Sequence, residues 1–109
     1  MASEKSFVEF IIDQTNAAGQ IACRKMFGDY ALYCNDKVVA LICDNRLYIK
    51  PTEAGRVFIG NVTEAPPYAG AKSWFLIDER VKDREWICRL IRITFGELPE
   101  PKIKKKKKS

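Results

Sequence analysis

Three dipeptides with turn chemistry, Gly28-Asp29, Asn35-Asp36 and Asp44-Asn45, cut the stretch from Ile21 to Lys50 into four short runs, IACRKMF, YALYC, KVVALIC and RLYIK. Asn, Asp and Gly tolerate the positive φ that a tight hairpin demands. The runs between them carry the β-branched and aromatic residues that suit a pleated surface. Short strands joined by so few residues must reverse direction and pair with the strand just left. The expectation is an antiparallel meander of four strands.

The flanks of the meander read as helical. From Ser3 to Ala18, Phe7, Phe10, Ile11 and Gln14 recur at helical spacing, with Ser3 placed to cap the first turn and Gly19 to end the helix. Pro51 breaks the sheet, and Thr52-Glu53 opens a short helix to about Ile59, followed by Gly60-Asn61. Glu64 to Gly70, with Pro66-Pro67, reads as an extended loop. AKSWFLI then has the content of one more strand, and Val81 to Phe95 forms a last helix with Trp86, Ile87, Leu90, Ile91 and Thr94 on one side, stopped by Gly96. The resulting class is α+β: two layers, a mainly antiparallel sheet of about five strands in the order α-β4-α-β-α, packed by helices.

A chain of 109 residues, 47% of them hydrophobic, fits a single core. The expected domain spans residues 1–98. Pro99 and Pro101 bracket a linker, and residues 99–109 form a Pro/Lys-rich basic tail whose charges repel one another and which buries too little apolar surface to order itself. The net charge of +5 belongs to that tail: Lys102, Lys104, Lys105, Lys106, Lys107 and Lys108 are six of the 19 basic residues, leaving 13 bases against 14 acids in the body. Polyanion binding is therefore expected of the tail and not of the near-neutral body. No apolar run is long enough to cross a bilayer, and the charged start MASEKSFVEF does not resemble a signal peptide, so a cytoplasmic location without membrane association is expected.

Catalytic chemistry finds little purchase. There is no histidine, which removes Ser/His and Cys/His nucleophile systems and His-ligated metals together. Cys23, Cys34, Cys43 and Cys88 lie far apart with no CxxC pair, and three of them sit in strand-like context, as free buried thiols do. The acids are scattered, mostly beside turns or at helix starts, where capping and the helix dipole favour them. No enzyme activity, cofactor or metal is expected. An enzyme or redox protein using one of the cysteines would require an exposed thiol of low pKa.

The stretch Arg24-Lys25-Met26-Phe27-Gly28-Asp29-Tyr30-Ala31-Leu32-Tyr33, followed by Val39-Ala40-Leu41 and by Asp44-Asn45-Arg46-Leu47-Tyr48-Ile49-Lys50, resembles the signature of the TfoX N-terminal domain. In that family Arg-x-Met-Phe-Gly leads into a Gly-Leu-Tyr-type strand, and the next two strands read as apolar-Ala-Leu, a polar turn, then Leu-Tyr-x-Lys. Ala31 stands where the family commonly has a second glycine, which disfavours a positive φ there. The competence regulators of this type carry a second, helical domain, whereas this sequence runs into the lysine tail. The resemblance implies a stand-alone two-layer domain similar to secretion-chaperone-like folds, with regulatory protein contacts, competence and transcription regulation among them, and without catalysis.

Several residues carry two readings. Met26-Phe27-Gly28 is a hairpin corner with Phe27 in the core, or a ligand-contacting turn that glycine opens to close approach. Arg24 pairs with a carboxylate such as Asp29 or Glu53, or presents a recognition fork on an exposed face. Tyr30, Tyr33, Tyr48, Tyr68, Trp74 and Phe75 make the sheet aromatic, as in modules that stack bases, but the basic interleaving of such modules is missing. Tyr68, in a loop, and Trp74 are the expected partner-binding patch, together with Arg24, Met26, Phe27 and Gly28. The expected partner is a protein, the transcription apparatus or a second copy of the chain being candidates. The alternative is weak, non-specific nucleic-acid binding through the tail lysines.

Overall fold

The computed structural model describes residues 3–26 and 29–98. Phe27, Gly28 and the whole basic tail, Lys102 and Lys104 to Lys108 included, lie outside the described residues. The order of elements is α1 (Lys5–Thr15), a 3-10 turn at Asn16–Ala18, β1 (Ile21–Met26), β2 (Asp29–Cys34), β3 (Lys37–Cys43), β4 (Arg46–Ile49), α2 (Glu53–Ile59), β5 (Thr63–Ala65), β6 (Trp74–Ile77), a 3-10 turn at Glu79–Lys82, and α3 (Arg84–Glu97). All strands belong to one antiparallel sheet in the order β1-β2-β3-β4-β6-β5.

The meander forms where the turn chemistry requires it at Asn35-Asp36 and Asp44-Asn45, whereas Asp29, expected in the first turn, is the first residue of β2 and pairs with Met26. Asn35 and Asp36 have φ of 49° and 72°, and Asp44 and Asn45 have 53° and 58°. Positive φ at both central residues defines the turn whose twist matches that of two-residue hairpins. The Asn35 side chain does more than tolerate this conformation: its Oδ1 accepts from Gln20 N at 2.9 Å, fixing the chain as it enters β1. Gly19 just before is extended, with no left-handed residue ending the helix. Its lack of a side chain matters through space, since a Cβ there would lie 2.9 Å from Cys34 Sγ. Ala31 sits fully buried within β2, where a β-sheet conformation suits alanine.

Register then sorts the side chains. One cross-strand row runs Cys23, Leu32, Ala40, Ile49, Phe75, Glu64 and another Lys25, Tyr30, Ile42, Leu47, Ile77. Leu32, Ala40, Ile42, Leu47, Ile49, Phe75 and Ile77 join Val8 and Ile11 of α1, Ile59 of α2, and Ile87, Leu90 and Ile91 of α3 in the main core. Each such aliphatic side chain contributes about 2 kcal/mol on burial. A bulge between Leu32 and Tyr33 shifts the β2–β3 register, and Val39 and Ala40 both enter this core. The helices therefore cover one face of the sheet.

Polar contacts lock the helices in place. Thr52 caps α2 by accepting from Gly55 N at 3.0 Å, and Asp83 caps α3 by accepting from Trp86 N at 3.1 Å. Gln14 of α1 donates to Val81 O at 2.9 Å, and Arg84 of α3 reaches back to Asp13. Lys37 of β3 donates to Leu98 O at 2.8 Å while lying over the Phe95 ring, which ties the end of α3 to the sheet.

Several expectations need correction. The sheet has six strands: Thr63–Ala65, partly within the segment read as extended loop, pairs with β6. The last helix starts at Arg84 behind a separate 3-10 turn, and Gly96 lies inside it. The first helix ends in a 3-10 turn, and Ser3 does not cap it. Ser3 instead serves the β3–β4 turn: its N donates to Asp29 Oδ1 at 3.0 Å and its Oγ accepts from Asn45 N at 2.9 Å. Asp29 Oδ2 also accepts from Asp44 N at 2.8 Å, so one buried carboxylate joins the N-terminal segment, the start of β2 and the β3–β4 turn. Asp29→Ala leaves those N–H groups without their partner and is expected to destabilise the fold by about 2 kcal/mol, measured by urea unfolding.

Candidate functional site

The face of the sheet that carries no helix is built by the residues of opposite parity. The row across it reads Arg24, Ala31, Leu41, Tyr48, Leu76, Thr63. Ala31, Leu41, Cys43 and Tyr48 form a second buried cluster, and Met26, Tyr33, Val38, Ala65, Trp74 and Leu76 pack against it while staying partly accessible. No helix residue contributes to this cluster among the described residues. A sheet apolar on both faces explains why KVVALIC is a continuous apolar run with no polar alternation.

Of the residues singled out in the sequence, Arg24, Met26 and Trp74 lie on this one face. They are not neighbours: Arg24 and Met26 stand on β1 at one edge, and Trp74 stands on β6, four strands across. Tyr68 lies in the loop between β5 and β6 and is 44% exposed. Phe27 and Gly28 fall outside the described residues. Arg24 does not pair with Asp29 or Glu53, because Asp29 is engaged by Ser3 and Asp44 and no ion pair to Arg24 forms among the described residues. Its guanidinium lies 5.2 Å from the centre of the Tyr33 ring. Gln20, Ile21, Ala22 and Asp36 join Arg24 and Tyr33 around a cleft of about 400 Å³. An exposed guanidinium propped on an aromatic ring keeps its forked N–H donors available to a carboxylate.

The residues the sequence reading did not assign to this face are Tyr33, Val38, Leu41, Tyr48 and Leu76. Strand parity was the signal that separates them: with β2 in register, Tyr33 falls on the open face and Tyr30 against the helices. A second aromatic group, Phe58 of α2 stacked on Trp86 of α3 at 5.4 Å with Arg80 over the Trp86 ring, could not be found from periodicity, since α2 and α3 meet only in three dimensions. It lines a smaller cleft with Asp83, Glu85 and Arg89.

The thiols do not form a reactive centre. Cys34, Cys43 and Cys88 are buried and Cys23 half-buried, all free. Burial pushes Cys23 from 9.0 to about 11. Burial, aided by the carboxylates of Asp29 and Asp44, does the same to Cys43, and burial raises Cys34 against the pull of Arg92 and Lys37. No cluster of three or more His, Cys, Asp or Glu side chains that could hold a metal occurs among the described residues, nor is any described helix long and apolar enough to cross a membrane. Native-state alkylation of Cys23 is expected to remain slow at pH 8 and to climb toward a midpoint near pH 11. A midpoint below neutral, followed by mass spectrometry, would restore a reactive-thiol reading.

The comparisons with known proteins agree with this architecture. The TfoX N-terminal domain matches residues 13–97, which include the whole sheet, α2 and α3, and only the last turn of α1. A 12.7 kDa protein from the trpE 5′ region of Spirochaeta aurantia, described as uncharacterized, is 41% identical over 107 residues, covering 98% of this chain and 93% of its own. The chain belongs to the TfoX N-terminal domain family.

Proposed function

We propose that this chain is a non-enzymatic regulatory module that binds a protein partner through the helix-free face of its sheet. The observation that carries this reading is the composition of that face: a buried apolar floor of Ala31, Leu41, Cys43 and Tyr48, walled by Met26, Tyr33, Trp74 and Leu76, with the stacked guanidinium of Arg24 at one edge. Trp, Tyr and Arg are the residues that concentrate binding energy at protein interfaces. The complementary surface is apolar where it meets Trp74 and Leu76 and offers a carboxylate to Arg24. The family membership supports a regulatory role, with the transcription apparatus as the class of partner and competence as one process it serves. The absence of histidine and the raised thiols support the non-enzymatic part of the reading.

The lysine run supports a second reading, in which the tail anchors the protein to nucleic acid without reading sequence. Capture experiments with the immobilised full chain and with a version ending at Glu100 separate the two. The truncated chain is expected to retain its protein partner, and Arg24→Glu combined with Trp74→Ala is expected to weaken retention at least about tenfold, as loss of two interface anchors does. Loss of every partner on truncation, together with DNA binding by the full chain that falls more than about tenfold between roughly 50 and 200 mM salt, would replace the first reading with the second.

A further inference from the structure

The two edges of the sheet are built differently. β5 contributes only Thr63–Ala65 and is followed by Pro66-Pro67, which cannot continue a ladder. β1 is twice as long, pairs along its whole length with β2, and has no strand on its other side among the described residues. Which of its backbone groups face outward follows from the ladder. Gln20 O accepts from Asn35 N at 2.9 Å, so Gln20 directs its backbone toward the β2 side. In an antiparallel ladder this direction alternates. Ala22, Arg24 and Met26 therefore bond inward, whereas Ile21, Cys23 and Lys25 turn both N–H and C=O away from the sheet. The β2–β3 hairpin gives the same parity, since Cys34 and Lys37 close its two-residue turn and Cys34 must face β3. No described side chain bonds to the outward groups of Ile21, Cys23 or Lys25.

We propose that β1 pairs with β1 of a second copy about a two-fold axis through Cys23, joining the two sheets edge to edge. A two-fold axis perpendicular to the sheet keeps the helices of both copies on one side and must pass through a residue position, because facing residues of an antiparallel pair share a face. Centred on Cys23, the pairing sets Ile21 against the partner's Lys25, Cys23 against the partner's Cys23, and Lys25 against the partner's Ile21. All three are positions whose backbone groups point outward, and each facing pair exchanges two N–H···O bonds. Arg24 then stands opposite the partner's Ala22. Centring the axis on Arg24 would oppose the two guanidinium groups directly and leave only Cys23 and Lys25 to bond; centring it on Lys25 would oppose two ammonium groups. Centring it on Ala22 would leave only Ile21 and Cys23 to bond, so charge on Arg24 and Lys25 and the number of ladder bonds together select the Cys23 register. The pairing leaves the helix-free face of each copy open and does not depend on that face binding a partner.

The outward direction of the Cys23 N–H makes a clean test available. Proline at position 23 removes a donor that the dimer uses and the monomer does not, and Lys25→Pro does the same at a second site. In sedimentation equilibrium of the full chain under reducing conditions, the mass is expected to rise with concentration from 12.5 kDa toward twice that value. Cys23→Pro and Lys25→Pro should each hold it at the monomer while preserving the far-ultraviolet circular dichroism. If either proline disturbs the spectrum, amide exchange of the unaltered chain at two concentrations decides: Ile21, Cys23 and Lys25 should become at least about tenfold more protected at the higher one. A monomer at every concentration, a dimer that survives both prolines in folded protein, or exchange independent of concentration would overturn the pairing.

Discussion

The register of β2, β3 and β4 is the constraint on which the remaining structure depends. It is fixed by two turns whose four residues all occupy the left-handed region, a conformation that Asn and Asp adopt at little cost and most residues do not. A slip of one residue would exchange the two faces of every strand. Ile42 and Leu47 would leave the helices, and Leu41 and Tyr48 would take their place. The helix layer can assemble only because this slip is prevented.

The turns are themselves held by side chains remote in sequence. Asn35 fixes the approach to β1, and Asp29, Ser3 and Asn45 join the N-terminal segment to the β3–β4 turn. On the other side of the molecule, Lys37, Arg84 and Arg92 carry charge-assisted bonds to main-chain carbonyls, binding α3 to the sheet and to the end of α1. These contacts are individually modest, at about 1–2 kcal/mol each, but they are all non-local and so select the arrangement of layers more than the stability of any element.

The proposed interface lies on what the helices leave uncovered. With every described helix on one face, the apolar residues of the other parity form a second floor of their own, and Arg24 gains its position by stacking on Tyr33 instead of by pairing with an acid. The same one-sided layering leaves β1 as an edge. Its outward backbone groups and its charged side chains act in opposite senses, one inviting a strand and the other restricting the register in which a strand can be accepted.

The α+β class, the meander, both short turns, the cap at Thr52 and the free thiols were legible in local sequence, because each rests on conformational preferences of a few adjacent residues. So was the family resemblance, which sits in those same strands. β5 was not legible: Thr63, Glu64 and Ala65 have no apolar pattern and become a strand only by pairing with β6 across an intervening loop. Nor were the duty of Ser3, the cation–π partner of Arg24 or the Phe58–Trp86 stack, all of which join segments far apart in the chain. Sequence alone determined which segments are strands, helices and turns. Tertiary structure alone decided which face each strand turns to the helices, which strands form the edges and which side chains share the helix-free face, because faces and edges exist only once the strands have paired.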